Sequence, residues 1–376
     1  MDKERSVVWL LLKRNIGFWI CLGIVLFVVL LAIVGPLFAK YGPQETVTIV
    51  RIVNASDANR VAEELRERYG LAPADISISM YSIIKQLSNT TNTTELNTLA
   101  EECKSQGMQV KIYTQPIPRI ECYDPSKMMV VAYIRSKPPS LDFPFGVDKQ
   151  GYDVFSSTVY GLRVSLSVGV IAAIVATIVG TVLGLLAGYM GGWVDALIDA
   201  ITNLLIAIPT VFLMLMIGLF YVVGGSAVGR EVQNMVFLGL TVGLLSWQWV
   251  SRAVRAQVSA LKASDFVSVS MLSGNSTIKI IFKDILPNIA SYIFLVFVIQ
   301  LANALGTVVT LEFLGIKAAE WSLFARINQY LMLGEHWSGN WWTLFIPGAI
   351  VVAMIASLYL MVLSLEEVFN PRLRKA

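Results

Sequence analysis

Long apolar runs without charge restrict how this chain can fold. No charged residue occurs between Ile16 and Phe38, and a helix needs about 20 such residues to cross the hydrocarbon core of a bilayer. Further apolar stretches lie at Ser165–Tyr189, Ala196–Val222, Met235–Val250, Ile289–Leu311 and Leu344–Leu363. Lipid gives a backbone no water to bond to, so each stretch has to satisfy its own hydrogen bonds as a helix. Six crossings are therefore expected. The chain is 56% apolar and 15% charged, too apolar a balance for a soluble enzyme.

Charge placement orients these helices. Lys3, Arg5, Lys13 and Arg14 precede the first run, which puts that end in the cytoplasm. A cleaved signal peptide would have a shorter apolar core and a small-residue cleavage site, so the first helix is expected to be retained. Arg252, Arg255, Lys262, Lys279 and Lys283 outnumber Asp265 and Asp284 in the loop before the fifth stretch, another inner location. Arg230 and Glu231 fall in a short outer loop, and six crossings leave both termini cytoplasmic. Trp321, Trp337, Trp341 and Trp342 suit an outer interface, and Asp195 and Asp199 an inner one. Within the spans, Pro209 should kink the third, Gly180, Gly184 and Gly188 should let a neighbouring helix approach the second, and Cys21 is a packing residue.

Residues 42–142 have a different character. The segment 40–158 holds 13 of the 29 Lys and Arg and 14 of the 26 Asp and Glu, which predicts a water-exposed domain outside the membrane. Thr46–Val53 alternates as a strand does. Ser56 is placed to cap a helix with Val61, Leu65 and Tyr69 on one face and Gly70 at its end. Thr94 is placed to cap another, carrying Leu96, Leu99 and Cys103, with Gly107 beyond it. Residues 108–113 and 128–134 read as strands, completing an α/β domain of about 100 residues, enough for its own core. Sequons begin at Asn54, Asn89 and Asn92. Cys103 and Cys122 are candidates for a disulfide, which an outer location permits; the other reading of Cys103 is a buried thiol.

Chemistry on a substrate has little to work with. With three cysteines and a single histidine, His336, no metal or thiol-catalytic set can be assembled. Phosphate-loop, GxSxG and HExxH patterns are absent. No cofactor and no nucleic-acid partner are expected. Energy for transport would come from another chain or from an ion gradient.

Ser264–Asn288, SDFVSVSMLSGNSTIKIIFKDILPN, has an Asp-aromatic-Val opening, a glycine nine residues after the aspartate and an Ile-Leu-Pro ending. It resembles the EAA loop of ABC-transporter permeases, with Ser268-Val269-Ser270 where that family usually has Glu-Ala-Ala. A second segment, residues 145–166, FGVDKQGYDVFSSTVYGLRVSL, is similar to the stretch before the second helix of C-type permeases in dipeptide and oligopeptide ABC importers. Gly146, Asp148, Gly151, Asp153, Val154, Ser156, Tyr160, Gly161, Arg163, Ser165 and Leu166 fall in place, and Tyr152 stands where arginine is usual. Met190–Asp195, Glu312–Gly315 and Asn370–Arg374 extend the resemblance, with Glu312 in place of the usual serine.

The resemblance implies an all-α polytopic membrane protein with six transmembrane helices, the type I ABC importer permease fold, carrying an inserted extracellular α/β domain. Its parts would be residues 1–41 with the first helix, the insert at 42–142, and a core at 143–376 with a coupling loop at 264–288. It further implies a multi-pass place in the cell membrane among lipid, a second (B-type) permease subunit, two ATP-binding subunits, an extracellular substrate-binding protein and a peptide substrate. The coupling helix, residues 264–276, would dock on an ATPase through Asp265, Phe266, Ser268, Leu272 and Gly274, with Pro287 setting entry into the next span. Phe266 and Leu272 could equally pack against the chain's own helices.

Asn203, Gln300 and Asn303 are candidates to line a pore, since polar side chains inside spans face wet cavities or neighbouring helices. An ion-coupled carrier would need ionisable groups deep in its spans, and the second, fourth and sixth have none. A receptor would need a cytoplasmic output domain. Oligosaccharides remain an alternative cargo.

Overall fold

The computed structural model describes residues 15–86, 100–113, 119–223 and 231–369. The basic residues at 3, 5, 13 and 14, the sequons at Asn89 and Asn92, Thr94 with Leu96 and Leu99, Arg230 and the tail from Asn370 lie outside them. The chain divides into two compact units, Gln44–Val154 and the flanking segments Met1–Pro43 with Phe155–Ala376.

The unit Gln44–Val154 is built on an antiparallel sheet. Its central strand β4 (Arg119–Tyr133) pairs on one side with β2 (Ile76–Gln86) and on the other with both β1 (Thr48–Asn54) and β3 (Gln109–Tyr113). Helix α1 (Ile16–Phe38) precedes this unit, and α2 (Ala58–Tyr69) lies within it. Ala58, Val61 and Leu65 recur at helical spacing on α2 and pack with Val130 and Ala132 of β4. Gly70, at φ 57°, ends α2 in the left-handed conformation that glycine adopts without steric cost. The cap position is Asp57, one residue beyond the expected Ser56, and its side chain makes no capping bond.

Two strand expectations need correction. β2 was not expected, although Ile76-Ser77-Ile78-Ser79-Met80 alternates with period two. β4 starts well before residue 128, because Asp124-Pro125-Ser126 forms an irregularity within the strand rather than a turn that ends it. The register with β2 shifts between Met80 and Tyr81 to absorb it. There the Ser126 hydroxyl and N–H both donate to Asp124, holding its carboxyl below the ordinary value.

A disulfide joins Cys103, in the helical segment 100–105, to Cys122 on β4, and both are buried. It closes a loop with a sequence separation of 19, and removing such a cross-link costs about 3 kcal/mol in the chain-entropy account. Cys122→Ser should therefore make this unit more sensitive to limited proteolysis than the wild type under oxidising conditions. Equal protection of the two would show that the bond contributes nothing.

Much of the 145–166 motif serves the structure. Asp148, almost fully buried, accepts from the N–H groups of Gln150 and Tyr152 at 2.9 and 2.8 Å. Gly151 has φ 90°, and a Cβ there would lie 3.2 Å from the Ile134 carbonyl oxygen. The turn thus requires glycine at this position.

The other unit is helical. α3 (Val154–Met190) is followed by α4 (Gly192–Ala207), α5 (Thr210–Val223), α6 (Glu231–Leu244), α7 (Gln248–Lys262), α8 (Asp265–Leu272), α9 (Leu286–Phe313), α10 (Leu323–Met332) and α11 (Trp341–Phe369). α3 begins before the expected Ser165, so half of the motif preceding it is already helix. Among the described residues, four helices are long and apolar enough to cross a membrane: Ile16–Phe38, Val154–Met190, Thr277–Phe313 and Trp341–Glu366.

The third and fourth apolar stretches are interrupted. Pro209 does more than kink the third: Ile208 is extended at φ −93°, ψ 125°, as a residue before proline prefers, and the two halves bend by 77°. Counted as one span, this pair gives a fifth crossing. The fourth stretch supplies only the shorter apolar helix Asn234–Leu244. It breaks at Leu245–Trp247, where Gln248 and Gln300 side-chain amides donate to the carbonyls of Leu245 and Ser246. α7 then continues as an amphipathic helix that buries Val250, Val254 and Val258.

Candidate coupling surface

The loop between α7 and α9 is arranged around the two faces of α8. Ser264 is extended at φ −81°, ψ 152° and starts the helix, and Asp265 in the first turn complements the positive helix end. Val267 and Ser270, three residues apart, are buried. Phe266, Val269 and Leu272 recur at the same spacing on the opposite side and are 44%, 61% and 89% exposed. One face is thus seated in the protein while the other presents an apolar row to the surroundings. Ile278 and Phe282 extend the exposed apolar surface beyond the helix.

The seated face is held by packing and by a polar clasp. Val267 shares a cluster with Leu185 and Tyr189 of α3, with Val254 and Val258 of α7, and with Ile280, Ile281 and Ile285. The Ser270 hydroxyl donates to Asp284 at 2.6 Å and accepts from the Asn275 amide at 2.9 Å. Lys279 donates in turn to the Asn275 side-chain oxygen at 2.7 Å, and the Asn288 amide to the Asp284 carbonyl at 2.6 Å. Gly274, at φ 74°, reverses the chain after α8, and Pro287 sits in the first turn of α9, directly after the π-helical turn 280–285. Residues 280–285 form a π-helical turn leading into α9.

Asp265, Phe266, Ser268, Leu272 and Gly274 lie together on or at the end of α8, whereas Pro287 belongs to the base of α9. Ser268 is exposed and its hydroxyl donates to the Ser264 carbonyl within the same helix. The clasp residues Ser270, Asn275 and Asp284 are not in the expected set. Heptad-like spacing from Val267 could have marked Ser270 as inward-facing, but its partner Asp284 is distant in sequence and carries no local signal.

The three pore candidates each take part in a separate hydrogen bond. Asn203 on α4 donates to Asp199 at 2.8 Å and accepts from Arg252 on α7. Gln300 is buried on α9 against the Ser246 carbonyl, and Asn303 accepts from the Tyr359 hydroxyl of α11 at 2.7 Å. Arg255 of α7 bridges Asp195 and Asp199 at 2.6 and 3.5 Å. α4 and α7 are therefore joined by a run of charged and amide groups. Among the described residues, no group of three His, Cys, Asp or Glu side chains could hold a metal ion.

Apolar helices of bilayer length around shared cores define a polytopic helical membrane protein. Residues 180–375 match the binding-protein-dependent transport system inner membrane components, and residues 5–55 match the N-terminal transmembrane domain of oligopeptide transport permease C. The dipeptide transport system permease protein of Bacillus subtilis is 33% identical over 242 residues, covering 63% of this chain and 71% of that protein. The oligopeptide transport system permease protein of the same organism is 27% identical over 243 residues, covering 64% and 75%. The chain belongs to the family of binding-protein-dependent transport system inner membrane components.

Proposed function

We propose that this chain is the C-type permease subunit of an ATP-driven importer for di- or oligopeptides. A second permease would complete the pathway with it, two ATP-binding subunits would sit beneath, and an extracellular binding protein would deliver the peptide. The observation that carries this reading is the division of α8 into a clasped inner face and an exposed apolar row, on the loop with the inward charge bias. A helix fixed on one side and apolar on the other can pass a partner's movement into α7 and α9. Phe266 and Leu272 would make the contact, Asp265 and Ser268 would border it, and Gly274 and Pro287 would set its geometry. Peptide cargo rests on the two permease relatives named above. The α6 break and the bent α4–α5 pair are compatible with six crossings, both termini inside and residues 42–142 outside.

The test is to purify the complex through a tag at Ala376 in mild detergent, identify its subunits, and measure ATP hydrolysis with peptides and with oligosaccharides. Copurifying ATPases and a second permease with peptide-stimulated turnover are expected. Stimulation by oligosaccharides alone would reassign the cargo, and a chain recovered without any nucleotide-hydrolysing partner would overturn the reading.

A further inference from the structure

The helical unit contains a cleft of about 420 Å³ between α1, α3, α9 and α11, within the roughly 300–1,000 Å³ range of small-molecule sites. Its walls come from Val29, Ala32 and Ile33 of α1, Ile171 of α3, leucines of α9 and Met354 of α11. Two polar residues reach it, Ser167 and Arg163. The Ser167 hydroxyl is committed to the Arg163 carbonyl at 2.7 Å within α3, so the site's chemistry reduces to hydrocarbon and one guanidinium.

Arg163 lies at one end of the cleft. Gly35 of α1 abuts Val159 of α3, so the C-terminal part of α1 lies beside the start of α3, and from Arg163 to Ile171 the wall descends two helical turns, about 12 Å. An arginine stem can line an apolar wall while its head reaches the polar boundary. No carboxylate among the described residues is within ion-pair distance of this guanidinium. A planar guanidinium pairs well with phosphate oxygens, most of all in an anionic headgroup, whose phosphate has no cation of its own to neutralise it. An acyl chain laid along these apolar walls would gain dispersion contacts with them.

We propose that this cleft is a binding site for an anionic phospholipid, with one acyl chain against Val29, Ala32, Ile171 and Met354 and the phosphate on Arg163. The proposal rests on the membrane-spanning reading of these helices, and needs no assumption about cargo. A lipid there would fasten the largely exposed α1 to the rest of the unit.

The test uses the intact complex, equilibrated with phosphatidylglycerol or phosphatidylcholine and examined by native mass spectrometry. Wild type should retain phosphatidylglycerol about fivefold better, the preference one basic residue gives near anionic headgroups. Arg163→Gln should abolish the preference and Arg163→Lys should keep most of it. Excess inorganic phosphate should displace nothing, because the acyl chain supplies part of the binding. A photo-crosslinking side chain at Ile33, 65% exposed and on the cleft wall, should yield a lipid adduct. Equal retention of the two lipids, displacement by phosphate, or a protein adduct at Ile33 would each overturn the proposal. Because ATPase copurification is scored in the same samples, failure here is distinguishable from failure of the permease reading.

Discussion

Leu272→Asp is expected to abolish peptide-stimulated ATP hydrolysis and uptake while leaving the chain folded in the membrane. Leu272 is 89% exposed at the end of α8, so the substitution removes no internal packing, and surface changes of this kind usually alter stability by less than about 0.5 kcal/mol. In a docked interface the same carboxylate would be buried without a partner. Loss of an apolar anchor at the centre of an interface costs about 2 kcal/mol or more, and an unpaired buried charge adds several further kcal/mol. Together these would weaken docking by about a thousandfold or more. Copurification of the ATPase with the tagged chain reads this directly. Thr307→Ala serves as the control, because its hydroxyl is spent on the Asn303 carbonyl within α9, outside the coupling loop. If Leu272→Asp holds its ATPase and is still stimulated by peptide, α8 is not the docking element.

The resemblance to the EAA loop pointed to the helix that α8 forms, and its markers are local: Ser264 and Asp265 at its start and a glycine nine residues after Asp265. The clasp that holds it was not legible in the same way. Ser270 and Asp284 meet only because α7, α8 and the π-helical turn fold back on one cluster, and no short window records that meeting. Strand β2 is legible in the plain alternation of Ile76–Met80, whereas the length of β4 is hidden by Asp124-Pro125-Ser126. The break in the fourth apolar stretch has a different origin. Hydropathy falls at Ser246-Trp247-Gln248-Trp249, and Gln248 and Gln300 supply donors for the carbonyls at Leu245 and Ser246, which lets the helix break there. Composition measures how apolar a segment is and does not register a distant side chain that satisfies its backbone. The polar residues of the spans follow the same logic: Asn203, Gln300 and Asn303 stand out in sequence, while the bonds that occupy them are tertiary.

Gly184→Leu is expected to damage the helical unit severely. Gly180, Gly184 and Gly188 of α3 face Val250, Val254 and Val258 of α7, one glycine to one valine. A Cβ on Gly184 would lie 2.7 Å from the Ser251 carbonyl oxygen and 2.8 Å from the Val254 Cβ. The obstacle at the first of these is backbone, so a side-chain rotation cannot relieve it and α3 and α7 would have to separate. Overpacking a tight core typically costs about 1–3 kcal/mol, and here it also opens the cluster in which Val250, Val254 and Val258 are fully buried. The damage would reach the coupling surface, because α7 leads into α8 through only Ala263 and Ser264. Thermal unfolding of the purified complex and peptide uptake should both fall sharply, with Gly184→Ala intermediate. Gly306→Ala on α9 is the matched control: a Cβ there meets nothing within 4 Å, so stability should hold or rise slightly as a helical glycine is replaced. If Gly184→Leu melts and transports like the wild type, the close approach of α3 and α7 is not what positions α8, and the clasp at Ser270 and Asp284 would have to do so alone.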